Sequence, residues 1–330
     1  MKSPRTVIPI AFLAVAAAVC PRPAFAWSAN GHKTVALIAE SRLSDAAKAA
    51  VASILGPTAT LDAVAPCADD IRGKTGYDCA GINLNDDPQS EPWHFVDVPI
   101  SESPAGGAAL EAYCPNQACV IDQINKDVDA LKTSIVQTDR QLALIFLVHF
   151  VGDVHQPLHC ADEIVAGVSD RGGNLKSVVF PGVPRDAARG ALNLHSLWDH
   201  QILPEDSNDP VTTSQRLIAD LKGRDVSSWL AGSFVSDAAF ESFSIAKSTV
   251  YPAYYAPDGK SIDSAYQARM TPIVDERLER AGVRLAALLE AALVGAPAAV
   301  PAPGPSGGAG AASLERARER VKRAESAPPP

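Results

Sequence analysis

Residues 139–156, DRQLALIFLVHFVGDVHQ, are apolar on nearly every side, yet they carry His149 and Asp153 four residues apart. A helix that is apolar all round belongs in the middle of a domain, covered by other elements. A four-residue step returns to the same helix face, so the imidazole and the carboxylate are carried into the interior together. Buried polar groups are costly unless something compensates them. A metal ion compensates both at once, and imidazole plus carboxylate is a donor set that suits Zn²⁺. This stretch therefore predicts a central helix in a mainly α domain, built around a metal.

The surrounding sequence extends the pattern. His159 follows six residues after Asp153, beyond a break at Pro157, and His195-x3-Asp199 repeats the helical spacing in NLHSLWDH. Two such sets in one chain point to a multi-metal site, and multi-metal sites mostly carry out hydrolysis. His155 faces well away from His149 on a helical wheel and reads as structural or supporting; His200, beside Asp199, also falls outside the candidate ligands.

Elsewhere the chain reads as helices. Ser28 or Asn30 can cap one carrying Val35, Leu37, Ile38 and Leu43, and Ser44 can cap Asp45–Leu55, stopped by Gly56-Pro57. Residues 119–136 and 193–202 are further helical stretches, and a long helix is expected from Pro272 to Leu293. Asn174–Val183 alternates weakly and predicts a small β-hairpin, with Gly172-Gly173 and Pro181-Gly182 as turns.

The two ends differ in kind from the middle. Lys2 and Arg5 precede an apolar run from Val7 to Cys20 and a small-x-small site at Ala24-Phe25-Ala26. These are the parts of a secretory signal, predicting cleavage between Ala26 and Trp27 and a secreted or periplasmic product. Residues 27–294 then form one domain, and 295–330, rich in Ala, Pro and Gly, read as a disordered tail with a charged helical stretch at 313–326. No membrane span and no stable protein partner are implied.

The formal net charge is −9, and the leader removes only basic residues. Such an acidic chain does not track duplex DNA by releasing counterions, so any nucleic-acid contact must be local. An oxidising compartment allows disulfides. Cys114 with Cys119 is the best candidate pair, and Cys67 with Cys79 a second, which leaves Cys160 over; sequence alone does not fix the pairing.

Taken in order, these pieces resemble the S1/P1 nucleases, secreted zinc enzymes that cut single-stranded nucleic acids. The resemblance rests on Trp27-Ser-Ala-Asn-Gly-His32, Ala68-Asp69-Asp-Ile-Arg72, Trp93-His94-Phe95-Val-Asp97, the His149/Asp153/His159 run, Gly172-Gly-Asn174, Asn193-Leu-His195-Ser-Leu-Trp-Asp199 and the closing Arg280-Ala-Gly-Val-Arg-Leu-Ala. It covers about residues 27–293 and implies a helical zinc-hydrolase fold of the phospholipase C/P1 nuclease type. It also implies three zinc ions. One would take Asp69, His94, His149 and Asp153. A second would take the amino terminus of Trp27, His32 and a shared Asp153, and the third His159, His195 and Asp199. Removal of the leader would then create a ligand. The chain departs from the family at Cys67-Ala68, where a tryptophan is usual.

The same resemblance implies metal-activated water attacking phosphorus, with Arg72 on the phosphate and Asn174 orienting water or phosphate. Phe95 would stack on a base and Asp97 accept from its edge. Stacking tolerates any base and requires it to be out of the duplex. The implied substrates are single-stranded DNA or RNA and 3′-nucleotides. Each residue also has a plainer reading: Asp69 as a helix cap, Arg72 as a surface ion pair, Phe95 as core, Asn174 as a turn residue. Two other functions compete, a zinc-dependent phospholipase C and a non-catalytic zinc-binding secreted protein. The short step from Trp27 to His32 and an aspartate at 199, where the lipases use glutamate, argue against the first. A ligand set that leaves coordination positions open argues against the second.

Overall fold

The computed structural model describes residues 27–180, 192–202, 209–256 and 262–294. The expected leader and tail lie outside the described residues, as does the expected Pro181-Gly182 turn.

The chain is mainly helical. Helix α1 (Ala29–Arg42) starts where the Ser28 hydroxyl accepts from Gly31 N, and α2 (Asp45–Leu55) where Ser44 does the same for Ala47 N. Gly56, at φ 87°, ends α2 in a conformation that glycine adopts without strain. Short α3 (Leu61–Val64) and α4 (Cys67–Asp70) follow, then the hairpin β1 (Tyr77–Cys79) and β2 (Ile82–Leu84). The helices α5 (Val120–Thr133) and α6 (Gln137–Asp153) pack against each other, and a second small hairpin joins β3 (Ile164–Val165) to β4 (Val168–Ser169). Helix α7 (Leu194–Ser196) runs directly into a π-helical turn, Leu197–Gln201. Then come α8 (Pro210–Asp220), α9 (Phe234–Ile245), α10 (Tyr251–Tyr255) and the long α11 (Ser264–Leu293).

As its composition predicts, α6 is central, buried from Ala143 to Asp153 and packed against α1, α2, α3, α4, α5 and α11. Close helix contact depends on a missing side chain at Gly282 of α11, where a Cβ would lie 2.4 Å from Ile38 Cγ2 on α1. Among the described residues, no helix is long and apolar enough to cross a membrane.

The end of α6 is clasped by buried charge. The Glu241 carboxylate on α9 accepts from Arg277, from Arg280 at 2.7 Å and from both terminal nitrogens of Arg284 at 2.8 Å. Arg277 Nε also donates to His155 O at 3.1 Å, and Arg284 Nη1 lies 3.0 Å from His155 Nε2. His155 Nδ1 donates to Val151 O at 2.7 Å, which leaves Nε2 as the acceptor for Arg284. His155 is thus a structural link between α6 and α11.

Three expectations are corrected. Helix α11 begins at Ser264, not Pro272, because the Asp263 carboxylate caps it by accepting from Tyr266 N at 2.9 Å; Pro272 lies inside the helix. Residues 154–156 fall outside α6, which ends at Asp153. The described part of Asn174–Val183 does not pair with itself. Val178 N donates to Leu192 O at 2.9 Å and Leu194 N to Lys176 O at 2.8 Å, so the segment finds its partner downstream. Both candidate disulfides are formed, Cys67–Cys79 and Cys114–Cys119, and Cys160 is free and buried. The first ties the Asp69 segment to β1.

Candidate metal centre

Asp153 sits at the last turn of α6 with its two oxygens facing different neighbours. Oδ2 is 2.9 Å from His94 Nδ1 and 3.3 Å from His149 Nε2, while Oδ1 is 3.4 Å from His32 Nε2. Asp69, delivered by α4, places Oδ1 3.6 Å from both His149 Nε2 and His94 Nδ1. All five side chains are buried. The His32 ring stacks on that of His149 with centroids 3.9 Å apart. Gly152 permits this approach, since a Cβ there would lie 2.6 Å from His32 Nδ1.

A second group stands beside the first. His159, His195 and Asp199 bring their donor atoms together, with His195 Nε2 3.1 Å from His159 Nε2 and 3.6 Å from Asp199 Oδ2. The π-helical turn that begins at Leu197 carries Asp199. Ser28 N donates to Asp199 O at 2.9 Å, and the neighbouring Trp27 is buried.

The hydrogen bonds behind these rings show what the facing atoms are. His149 Nδ1 bonds Ala65 O at 2.8 Å, His159 Nδ1 bonds His94 O at 2.7 Å, and His195 Nδ1 bonds Gly172 O at 2.7 Å. A carbonyl oxygen only accepts, so each Nδ1 carries hydrogen; His159 and His195, as neutral rings, turn an Nε2 lone pair inward, and His149 does so once its second proton is gone. Two such lone pairs 3.1 Å apart, at His159 and His195, repel unless a cation lies near both. In the first group, buried His32 Nε2 and Asp153 Oδ1 have no hydrogen-bond partner. Buried polar atoms are almost always satisfied, and converging donor atoms left without partners suit a bound cation. Both His/Asp groups can hold metal ions, and their donor chemistry fits Zn²⁺. The sulfurs of Cys114 and Cys119 also lie near a carboxylate, Asp122, but they are joined to each other and offer no thiolate.

Protonation follows from the same crowding. Burial lowers His32 to about 3, with His149 adding to the effect, and lowers His94 to about 4 and His195 to about 3. His149 goes the other way: burial opposes its charge, but Asp153 and Asp69 outweigh burial and raise it to about 10. Burial alone would raise Asp69 and Asp153; charged His149 instead holds both well below the usual carboxylate range. In the metal-free chain one proton on His149 therefore serves two carboxylates, a charge that a bound cation would replace. Asp199 is pushed well above its usual range by burial, with the charges of Asp69 and Asp153 adding, against the bond from Gln156.

The other expected site residues are less tightly gathered. The Arg72 guanidinium lies 2.9 Å from Asp69 Oδ1. Phe95 is half-buried, and its backbone joins the site to α5 through Val120 N. Asp97 keeps surface exposed, but the protein packed around it strips water from its carboxyl and, with the charges of Asp162 and Asp170, pushes it up to about 7. Asn174 Nδ2 donates to Arg171 O at 2.8 Å, which closes the turn there. Sequence reasoning missed Gln156, whose Nε2 donates to Asp199 Oδ1 at 2.7 Å; an uncharged residue with no spacing signal gives nothing to find.

Comparison with known proteins agrees with this arrangement. Residues 27–294 match the S1/P1 Nuclease family. The chain is 28% identical to Nuclease S1 of Aspergillus oryzae over 285 residues, covering 81% of this chain and 91% of that protein. It is 30% identical to Endonuclease 4 of Arabidopsis thaliana, covering 81% and 89%. It is 33% identical to Nuclease P1 of Penicillium citrinum over 176 residues, covering 52% and 57%. With a match that spans both His/Asp groups and every helix between them, the chain is a hydrolase that belongs to the S1/P1 nuclease family.

Proposed function

We propose that this chain is a zinc-dependent endonuclease that hydrolyses single-stranded DNA or RNA to 5′-phosphorylated products and acts on 3′-nucleotides as well. The observation that carries the reading is Asp153, buried, with one oxygen facing His94 and His149 and the other facing His32. That is the arrangement expected of a carboxylate shared by two ions.

Three zinc ions would be held as follows: Asp69, His94, His149 and Asp153 for one; the Trp27 amino terminus, His32 and Asp153 for the next; His159, His195 and Asp199 for the third. When bound, zinc supplies Lewis-acid charge and lowers the pKa of water toward neutrality. The protein's own residues do the rest. Arg72 presents a planar fork suited to phosphate oxygens and is kept at the rim by Asp69. Phe95 offers a ring face to an unpaired base, and Asp97 a carboxylate to its edge. Asn174 orients water or phosphate from the turn it closes, beside Gly172, whose carbonyl accepts from the His195 ring.

The organisation proposed with this activity is a leader over 1–26 cut before Trp27, a catalytic domain over 27–294 and a tail over 295–330. The product would be secreted or periplasmic. The test is a paired assay on purified, processed protein with zinc content measured in parallel. Release of acid-soluble nucleotides from denatured DNA, with about three zinc ions per chain, is the expected result. Cleavage of phosphatidylcholine without nucleotide release would replace this reading with the phospholipase one. Zinc without either activity would favour a binding protein.

A further inference from the structure

Gln156 lies between Asp153 and His159 in sequence and is wholly buried. Its side chain is committed at both ends. Oε1 accepts from Leu158 N at 2.5 Å, and Nε2 donates to Asp199 Oδ1 at 2.7 Å. Leu158 N can only donate, so the amide oxygen must face it and the amide nitrogen must face Asp199. The main chain is tied in the same way: Gln156 N donates to Asp153 O at 2.9 Å, and Gln156 O accepts from His159 N at 3.0 Å. One residue thus touches three of the candidate zinc ligands, drawn from both His/Asp groups.

We propose that Gln156 is a positioning residue for the third zinc, holding Asp199 as a one-oxygen ligand by occupying its Oδ1. The proposal rests on the reading of His159, His195 and Asp199 as zinc ligands. With Oδ1 engaged, the oxygen directed at the group is Oδ2, 3.6 Å from His195 Nε2. A one-oxygen attachment keeps the number of protein ligands low and leaves coordination room for a substrate oxygen. The amide suits the task chemically. It satisfies a buried carboxylate oxygen without cancelling the negative charge, which a lysine or arginine would do. Because its own oxygen is anchored, the donor cannot rotate away.

Hydrogen bonds that orient metal ligands are typically worth roughly 10–100-fold in metal affinity. The experiment compares the unsubstituted protein with Gln156→Met, Gln156→Glu and His195→Ala. Each is dialysed against zinc buffers of graded free zinc, and bound zinc per chain is measured by elemental analysis. Thermal melts in chelator report on the metal-free fold. Gln156→Met removes both bonds of the side chain. Gln156→Glu keeps an acceptor for Leu158 N and serves if the methionine variant does not fold. The expected result is that Gln156→Glu gives up one zinc per chain at free zinc roughly 10–100-fold higher than the unsubstituted protein, while the other ions stay bound.

Two outcomes overturn the proposal: an unchanged zinc curve, or an equal weakening of every ion, which would mean that Gln156 supports the fold as a whole. His195→Ala separates this from failure of the underlying reading. If that variant retains full zinc, His159, His195 and Asp199 do not form a zinc site, and the role of Gln156 falls with it.

Discussion

His149 Nε2 and Asp153 Oδ2 lie 3.3 Å apart across one turn of α6, both wholly buried. The pair is held from behind, by the bond from His149 to Ala65 O, and from the side, by His94 on the same carboxylate oxygen. Asp153→Asn keeps the size and removes the charge on which three imidazoles converge. It is expected to lower zinc content by more than one ion and to cut nuclease activity at least about 100-fold. A steady-state assay on denatured DNA with elemental analysis checks both; full activity would remove the shared carboxylate from the mechanism.

The proposed cut before Trp27 carries its own prediction. Trp27 is buried, and the next backbone nitrogen, that of Ser28, is bonded to Asp199 O. One extra residue placed before Trp27 should leave the fold intact and reduce zinc loading, because the α-amino group would become an amide. Zinc content and rate equal to those of the correctly cut protein would take the amino terminus out of the ligand set.

The pH response of the metal-free protein has two limbs. His32, His94 and His195 have folded pKa values of about 3, about 4 and about 3, below the unfolded value of about 6.5. As pH falls below about 6.5 the unfolded chain takes up protons that the folded chain refuses, so stability falls on the acid side. His149, raised to about 10, behaves oppositely: its contribution is complete below about 6.5 and is lost as pH rises toward 10. Melting temperatures of chelator-treated protein should therefore peak near neutral pH and decline in both directions. Zinc, which needs unprotonated imidazoles, should leave the loaded protein as pH falls. A melting temperature in chelator that climbs steadily with pH up to 10 would contradict the proton held on His149.

Glu241 balances Arg277 and Arg284, which are buried, and Arg280. Burial would raise its carboxyl, but the guanidiniums of Arg284 and Arg277 outweigh burial and hold it well below the usual range. Breaking a buried pair by removing one partner costs about 3–5 kcal/mol. Glu241 keeps 27% of its side chain exposed, so about 2–4 kcal/mol is expected for Glu241→Gln. Urea denaturation checks the magnitude. Zinc stoichiometry at low temperature should be unchanged, since the clasp lies behind the end of α6 and offers no ligand.

The parts of the site that could be read in advance were those where burial and charge conflict in the sequence itself. His149 and Asp153 in an apolar helix announce both their neighbourhood and their need for a cation. Helix α11 was harder, because a proline is also favourable in a first helical turn and Pro272 concealed the true cap at Asp263. Residues 174–180 alternate as a strand should, but their partner, 192–194, lies across a stretch that local spacing does not describe. Arg277, Arg280 and Arg284 share one face of α11 at intervals of three and four residues, a signal present in the sequence whose meaning depends on Glu241 from another helix. Gln156 carried no signal at all, since nothing about a neutral amide marks it until Asp199 is beside it.

Gly152 sets a boundary for anyone who would make this protein more durable. Exchanging a helical glycine for alanine ordinarily adds about 1 kcal/mol, partly by restricting the unfolded chain. Here the added methyl would meet the His32 ring. One ordinary route to thermostabilisation is therefore closed at this position of the central helix. Durable variants must be sought on outer helices, and α6 must keep its weakest link as the condition for bringing its ligands within reach of α1.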